Sequence, residues 1–122
     1  MLTGFRIKDE RGFTLIELLI VVAIIGILAG LAVAQFVSHR TRSYNIMAES
    51  DLRNAATAQE AYYTSYEIYS NNVVNLIGFS VSQGVHLDVN GTSSGAYTME
   101  AYHSVGNTTY TLIGPGGAMT KN

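Results

Sequence analysis

The chain begins with a polar segment that gives way to a long apolar block. Residues 1–12 are polar and mixed in charge, and the apolar block starts at Phe13. From Leu18 to Ala34, seventeen consecutive residues carry no charge and no strongly polar group. A helix that crosses a bilayer needs ~20 residues of this kind. The block has no proline to interrupt it, so it predicts a helix long enough to span a membrane.

A helical pattern continues beyond the apolar block, but with a polar face. Small or aromatic residues recur every three or four positions, at Tyr44, Ala48, Leu52, Ala55, Ala58, Tyr62, Tyr66 and Tyr69. One helix from about Phe13 to about Tyr69 would be ~85 Å long, which is too long for a globular domain of this size. We therefore expect its N-terminal half to pack against other copies. The tyrosines could carry charge by stacking, but we favour a packing seam between helix and sheet.

The last third of the chain has the period of β-strands. Apolar and polar residues alternate from Phe79 to Val89, and residues 90–95 have the composition of a turn. Further strands are predicted at 96–103 and 108–113, and residues 114–117 are predicted to end regular structure. The fold class is therefore α+β. A helix over about 13–69 carries a small three- to four-stranded antiparallel sheet on its C-terminal half.

Composition limits the possible functions. The 122 residues allow one small domain, and the absence of cysteine excludes disulfides. The net charge of −2 and the seven scattered Lys and Arg residues predict no nucleic-acid partner. His86 and Asp88 share a strand face without a third metal ligand. With no recognisable catalytic arrangement, we expect no enzyme activity, no cofactor and no metal, and we expect partner subunits to supply the missing stability.

Glu17 is the unusual residue of the apolar block. An ionisable group within a membrane-spanning segment is costly and is a functional-site hypothesis by default. Alternatively, Glu17 marks the headgroup edge and the span starts at Leu18. A secretory signal is one explanation of the segment, because Ala32-Val33-Ala34 offers a cleavage site. However, the run is longer than such a signal needs and contains Glu17. A plain membrane anchor is a second explanation.

The third explanation is a family resemblance. The sequence Arg11-Gly12-Phe13-Thr14-Leu15-Ile16-Glu17 and the apolar run after it resemble the type IV prepilin signature. The match covers residues 11–36. The resemblance implies that a prepilin peptidase cuts between Gly12 and Phe13 and methylates the new amine of Phe13. It also implies that Glu17 pairs with the α-amine of a Phe13, either its own or that of a neighbouring subunit.

The same resemblance implies a division of the chain. Residues 1–12 are the leader, 13–37 the transmembrane and assembly half of the helix, and 38–122 the head, with its helix half at 38–69 and its sheet at 79–113. Gly26 and Gly30 belong to the assembly surface, where they either allow close approach of another helix or reflect ordinary glycine use in membrane helices. Many relatives carry proline at the position that Ala34 occupies here. Because this chain has no proline there, the resemblance does not predict how far the helix unwinds in a filament.

The implied partners are other copies of the chain in a helical filament. The precursor would lie in the lipid bilayer of the inner membrane and meet the pilus assembly machinery there. The filament would reach the bacterial surface, where such filaments serve adhesion and motility. The alternatives are a pseudopilin of type II secretion, a minor pilin, or a soluble binding domain released after Ala34. The pseudopilin has less support, because acidic residues do not cluster near the C-terminus of this chain.

Overall fold

The computed structural model describes Gly4 and residues 12–122 and has the predicted α+β fold. Helix α1 runs over Leu15–Tyr66, and a short 3-10 helix follows at Val73–Asn75. The strands are β1 (Val85–Ser93), β2 (Ala96–His103), β3 (Thr109–Gly114) and β4 (Ala118–Lys121). The rest of the predicted leader, including Arg11, lies outside the described residues. The chain divides into two compact units, one ending at Phe36 and one running from Val37 to Asn122.

Helix α1 is continuous through Gly26, Gly30 and Ala34, but both of its ends differ from the prediction. It begins at Leu15 instead of Phe13, because Thr14 caps its first turn. It ends at Tyr66 instead of Tyr69, because Glu67 adopts a positive φ of 58°. A left-handed residue of this kind commonly ends a helix. The prediction missed it because Glu67 is not one of the residues that usually adopt this conformation.

The sheet is an antiparallel meander in the order β1-β2-β3-β4, and it corrects three predicted boundaries. Residues 79–84 are not strand, so β1 starts at Val85. Residues 90–93 are not a turn, because β1 continues through a register shift between Val89 and Gly91 and stays paired with β2. Residues 114–117 do not end regular structure. They lead into β4, which supplies the fourth strand and extends the sheet to Lys121.

The core of the second unit lies between α1 and one face of the sheet. Ala48, Leu52 and Ala55 on the helix are fully buried, as are Met99 and Ala101 on β2. The predicted inward face of β2 is confirmed by these positions. Tyr97 on β2 and buried residues of β1 and β3 complete the core of the sheet, namely Val85, Leu87, Tyr110 and Leu112.

Polar side chains of α1 hold the loops of this unit in place. Gln59 is fully buried, and its amide donates to the Ser70 carbonyl at 2.8 Å and accepts from the Ser70 N–H at 2.9 Å. The Asp51 carboxylate accepts from the Ser82 N–H at 2.7 Å and from the Ser82 hydroxyl at 2.9 Å. A buried polar group needs partners of this kind to offset its desolvation. These pairs fix the segment between α1 and β1.

A similar pair fixes the turn between β2 and β3. The Asn45 amide donates to Asn107 Oδ1 at 2.7 Å and accepts from the Asn107 N–H at 3.0 Å. The Asn107 side chain and backbone are therefore part of the structure that fixes this turn.

Candidate functional site

The start of α1 is a capping box built from Thr14 and Glu17. The Thr14 carbonyl accepts the first helical hydrogen bond, from Leu18 N–H at 3.2 Å. The Thr14 hydroxyl accepts from the Glu17 N–H at 3.3 Å, and Glu17 Oε2 accepts from the Thr14 N–H at 3.0 Å. This reciprocal pairing satisfies two backbone donors that would otherwise lack partners at the helix end.

The capping box places the Glu17 carboxylate beside the beginning of the predicted mature chain. Oε2 bonds to the backbone nitrogen of Thr14, which is the residue directly after Phe13. The positive end of the helix dipole favours a negative charge at this position. Glu17 stands out in the sequence, but the capping role of Thr14 was not predicted. The signal was available, since a threonine three residues before a glutamate and ahead of an apolar run is the pattern of a capping box.

Phe13 and the apolar stretch of α1 are exposed in the part of the chain that the structure describes. Phe13 is 90% exposed. Among the described residues, α1 is a helix long and apolar enough to cross a membrane, and none of its most apolar stretch is buried. Exposing this much apolar surface to water is strongly unfavourable. The stretch therefore needs either lipid or protein around it.

Gly26 and Gly30 lie one turn apart on the same side of α1, because residues four apart are neighbours on a helix surface. A Cβ atom at either position would meet nothing within 4 Å. Glycine in a helix interior costs about 1 kcal/mol relative to alanine. The described part of the chain thus offers no internal packing reason for either glycine.

The predicted site residues therefore fall into two groups on one helix. In the first group, the Glu17 carboxylate bonds to the N–H of Thr14, which follows Gly12 and Phe13 directly in the sequence. Gly26 and Gly30 lie two or more turns further along and contact neither of them.

The tyrosines of the second unit belong to separate clusters. Tyr63 stacks on Tyr69, which in turn contacts Tyr97, with ring centroids 4.6 Å apart in each pair. Tyr62 and Tyr66 form another pair at 4.5 Å. Burial raises the pKa of Tyr97 to about 12, with a smaller contribution from Glu60. Tyr69 lies in the core between helix and sheet with Tyr97, as expected of a packing seam, whereas Tyr66 is 56% exposed and does not belong to that seam.

Tyr44 packs against the buried side chain of His103. The Tyr44 and His103 rings stack with centroids 4.2 Å apart. His103 Nδ1 accepts from the Val105 N–H at 3.0 Å, so the ring proton lies on Nε2, which donates to the Gln83 carbonyl at 3.2 Å. This histidine joins three segments of the second unit.

The outer face of the sheet holds the predicted solvent-facing residues. His86 stacks on Tyr102 with centroids 4.9 Å apart, and Asp88 lies opposite Glu100. In the part of the chain that the structure describes, no group of three or more histidines or acidic residues is placed to hold a metal ion.

Comparison with known proteins connects this helix to a family. A family model of the prokaryotic N-terminal methylation motif matches residues 7–33. The type IV major pilin protein PilA of Myxococcus xanthus is 46% identical over 75 residues, which are 62% of this chain and 34% of that protein. The chain therefore spans about a third of the length of this relative.

A second relative matches over nearly the whole chain. The type IV wide pilus major component PilA4 of Thermus thermophilus is 32% identical over 118 residues, which are 94% of this chain and 90% of that protein. The type II secretion system core protein G of Pectobacterium carotovorum is 25% identical over 114 residues, covering 93% and 71% of the two chains. With its capped and exposed apolar helix, its methylation motif and its four-stranded sheet, the chain belongs to the type IV pilin family as a pilin-like structural subunit.

Proposed function

We propose that the chain is a structural subunit of a type IV pilus that is cleaved after Gly12, N-methylated on Phe13 and polymerised through α1. The observation that carries this proposal is the capped start of α1, where the Glu17 carboxylate accepts from the N–H of Thr14, the residue after Phe13, ahead of an exposed apolar stretch of the helix. Residues 1–12 are the leader, 13–37 the membrane and assembly segment, and 38–122 the head.

The proposed sequence of events follows from where the apolar surface can be buried. The precursor inserts the apolar part of α1, within residues 13–37, into the inner membrane, where lipid covers it. A prepilin peptidase removes the leader and frees the amine of Phe13. The pilus assembly machinery then transfers the subunit into a filament of identical copies on the bacterial surface, where neighbouring helices replace the lipid.

The charge of Glu17 is the main obstacle to this transfer. An isolated carboxylate in a low-dielectric filament core is strongly unfavourable, and a nearby ammonium group offsets much of that cost. Oε2 bonds to the Thr14 N–H, which leaves Oε1 to accept from the α-amine of a Phe13. The pair need add little net stability. Its main effect is to fix the position at which a new subunit is accepted.

Three variants test this pairing. Glu17→Ala removes both the cap and the charge, and Glu17→Gln keeps an oxygen that can accept from Thr14 N–H but removes the charge. Both should still lose the leader, and both should reduce the yield of sheared filaments at least about tenfold, because breaking a buried ion pair costs about 3–5 kcal/mol. Asp88→Ala is the control, since it removes an exposed carboxylate from the outer face of the sheet.

The readouts are the mass of the membrane-bound subunit and the amount of filament protein. Wild-type filament yield from Glu17→Ala would contradict the pairing. Wild-type yield from Glu17→Gln alone would show that Glu17 acts through the helix cap and not through its charge.

A subunit of a type II secretion pseudopilus is the second candidate function. The similarity to the core protein G of Pectobacterium carotovorum over 93% of this chain favours it. Deletion of the gene distinguishes the two. Loss of surface filaments with normal protein secretion supports the pilus, and blocked secretion with normal filaments supports the pseudopilus.

A further inference from the structure

A β-bulge interrupts the pairing of β1 with β2 at the dipeptide Asn90-Gly91. Val89 pairs with Met99, and the next paired residue of β1 is Gly91, opposite Thr98. Asn90 is therefore an extra residue on β1. An extra residue of this kind disrupts the ladder of hydrogen bonds locally and bends the strand. Asn90 and Gly91 are both exposed, so water reaches the sheet at this point.

The glycine after Asn90 leaves the backbone nitrogen accessible. A Cβ atom at Gly91 would meet nothing within 4 Å among the described residues, so the space around this residue is open. Glycine also permits backbone conformations that other residues rarely adopt. A side-chain amide that comes directly before such a nitrogen is placed to close a five-membered ring with it. No other asparagine in the sequence precedes a glycine.

The side chain of Asn90 lies among carboxylates on the outer face of the sheet. Its Nδ2 donates to Glu100 Oε2 at 2.8 Å, and Glu100 lies opposite Asp88 in the pairing of β1 with β2. Like charges that face each other on neighbouring strands destabilise a sheet. The amide of Asn90 therefore supplies a donor at a place where two carboxylates already meet.

We propose that Asn90 is a site of spontaneous deamidation, which changes the charge of the sheet as the protein ages. The nitrogen of Gly91 gives up its proton and forms a bond to Cγ of Asn90. The bond from Cγ to Nδ2 breaks, and Nδ2 leaves with that proton as ammonia. Water then opens the resulting succinimide ring at either carbonyl, which yields aspartate or isoaspartate at this position. Either product adds one negative charge.

The new carboxylate faces Glu100, which had accepted a hydrogen bond from the lost amide group. An attraction between the two strands thereby becomes a repulsion between like charges. In the isoaspartate product, the main chain also runs through the former Cβ atom and gains one atom, which adds to the irregularity of the bulge. We expect both changes to loosen the hairpin of β1 and β2.

Peptide mass spectrometry of the full chain in detergent micelles tests the site. During incubation in mildly alkaline buffer, the peptide that contains Asn90 should acquire the mass difference between an amide and a carboxylic acid. Asn54 is the internal control, because it is exposed on α1 and precedes an alanine. Gly91→Ala should slow the reaction at least about tenfold, because a Cβ atom restricts the backbone conformations that ring closure requires.

The outcomes of this experiment are independent of the proposed filament function, since the reaction needs only water and the single chain. Equal rates at Asn90 and Asn54 would overturn the proposal, as would equal rates in the wild type and in Gly91→Ala. A glycan on Asn90 would also overturn it. Asn90-Gly91-Thr92 fits the acceptor pattern for glycosylation, and an attached sugar would occupy the amide nitrogen that has to leave.

Asn90→Asp measures the effect of the new charge separately. Its melting temperature should lie about 2–8 °C below that of the wild type, because a hydrogen bond is lost and a repulsion is gained. In a chain that also carries Glu100→Gln, the same substitution should cost less than half as much, because a neutral amide can donate to the new carboxylate. Equal shifts in the two chains, or no shift from Asn90→Asp, would contradict the proposed effect on the sheet.

Discussion

Gln59→Leu tests whether the segment after α1 depends on one buried amide. Gln59 is fully buried, and both of its polar atoms bond to the backbone of Ser70, which is itself only 3% exposed. Leucine has a similar size and suits a helix. The substitution therefore leaves the packing nearly intact and removes both hydrogen bonds.

The expected cost follows from the groups that lose their partners. A buried donor or acceptor left without a partner costs about 1–3 kcal/mol, and Ser70 presents one of each. The apolar surface that leucine buries offsets part of this sum, which leaves a net loss of about 3 kcal/mol. In a domain of this size, 1 kcal/mol shifts the melting temperature by about 4–8 °C. We therefore expect Gln59→Leu to lower it by about 12–24 °C.

Thermal unfolding of the full chain in detergent micelles measures this shift. All eight tyrosines lie between residues 44 and 110 and the chain has no tryptophan, so near-ultraviolet circular dichroism reports on the second unit. Asn54→Leu is the matched control, because Asn54 is exposed on the same helix and its loss should change stability by about 0.5 kcal/mol or less. Equal melting temperatures for Gln59→Leu and Asn54→Leu would refute the reasoning.

Three further predictions concern pH, a loop contact and the apolar helix. Because the pKa of Tyr97 is raised from 10.0 to about 12 in the folded chain, its contribution to stability is complete below pH 10 and is lost as pH rises through about 12. The free energy of unfolding of Tyr97→Phe should therefore fall less steeply with pH above 10 than that of the wild type. Equal slopes for the two proteins would contradict the raised pKa of Tyr97. Asp51→Ala should destabilise the second unit by about 2 kcal/mol and speed hydrogen exchange at the Ser82 amide, while equal exchange rates would exclude the contact. Gly26→Ala should stabilise the isolated helix by about 1 kcal/mol yet reduce filament yield, and a normal yield would show that close approach at Gly26 is unnecessary.

The long helix and the existence of the sheet could be predicted because each has a strong local pattern. The apolar block after Phe13 and the spacing of Ala48, Leu52 and Ala55 identify α1 and the face it buries. Alternation at Tyr97, Met99 and Ala101 identifies β2 and its inward side. These signals come from side chains close together in sequence, so one sequence was sufficient to read them.

The strand boundaries that were predicted wrongly depend on contacts between residues that are distant in the sequence. Phe79 and Val81 alternate like strand residues, but Asp51 binds Ser82 across thirty-one positions, and β1 begins only at Val85. The segment 90–93 has turn composition, yet pairing with β2 keeps it in the sheet. The four residues of β4 are too few to show a period.

Only those parts of the candidate site that have a local sequence pattern could be predicted. Gly12, Phe13 and Glu17 were predicted from a contiguous signature, and the capping role of Thr14 had its own local signal. The bond between Gln59 and Ser70 and the stacking of Tyr44 on His103 had none, because each joins residues whose proximity depends on the folded structure.

Mass spectrometry of the subunit from sheared filaments tests the central claim most directly. Fragmentation should show that the mature chain begins at Phe13 and carries one methyl group on its α-amine. A filament subunit that begins at Gln35, or one that retains residues 1–12, would contradict cleavage after Gly12 and the assembly role proposed for α1.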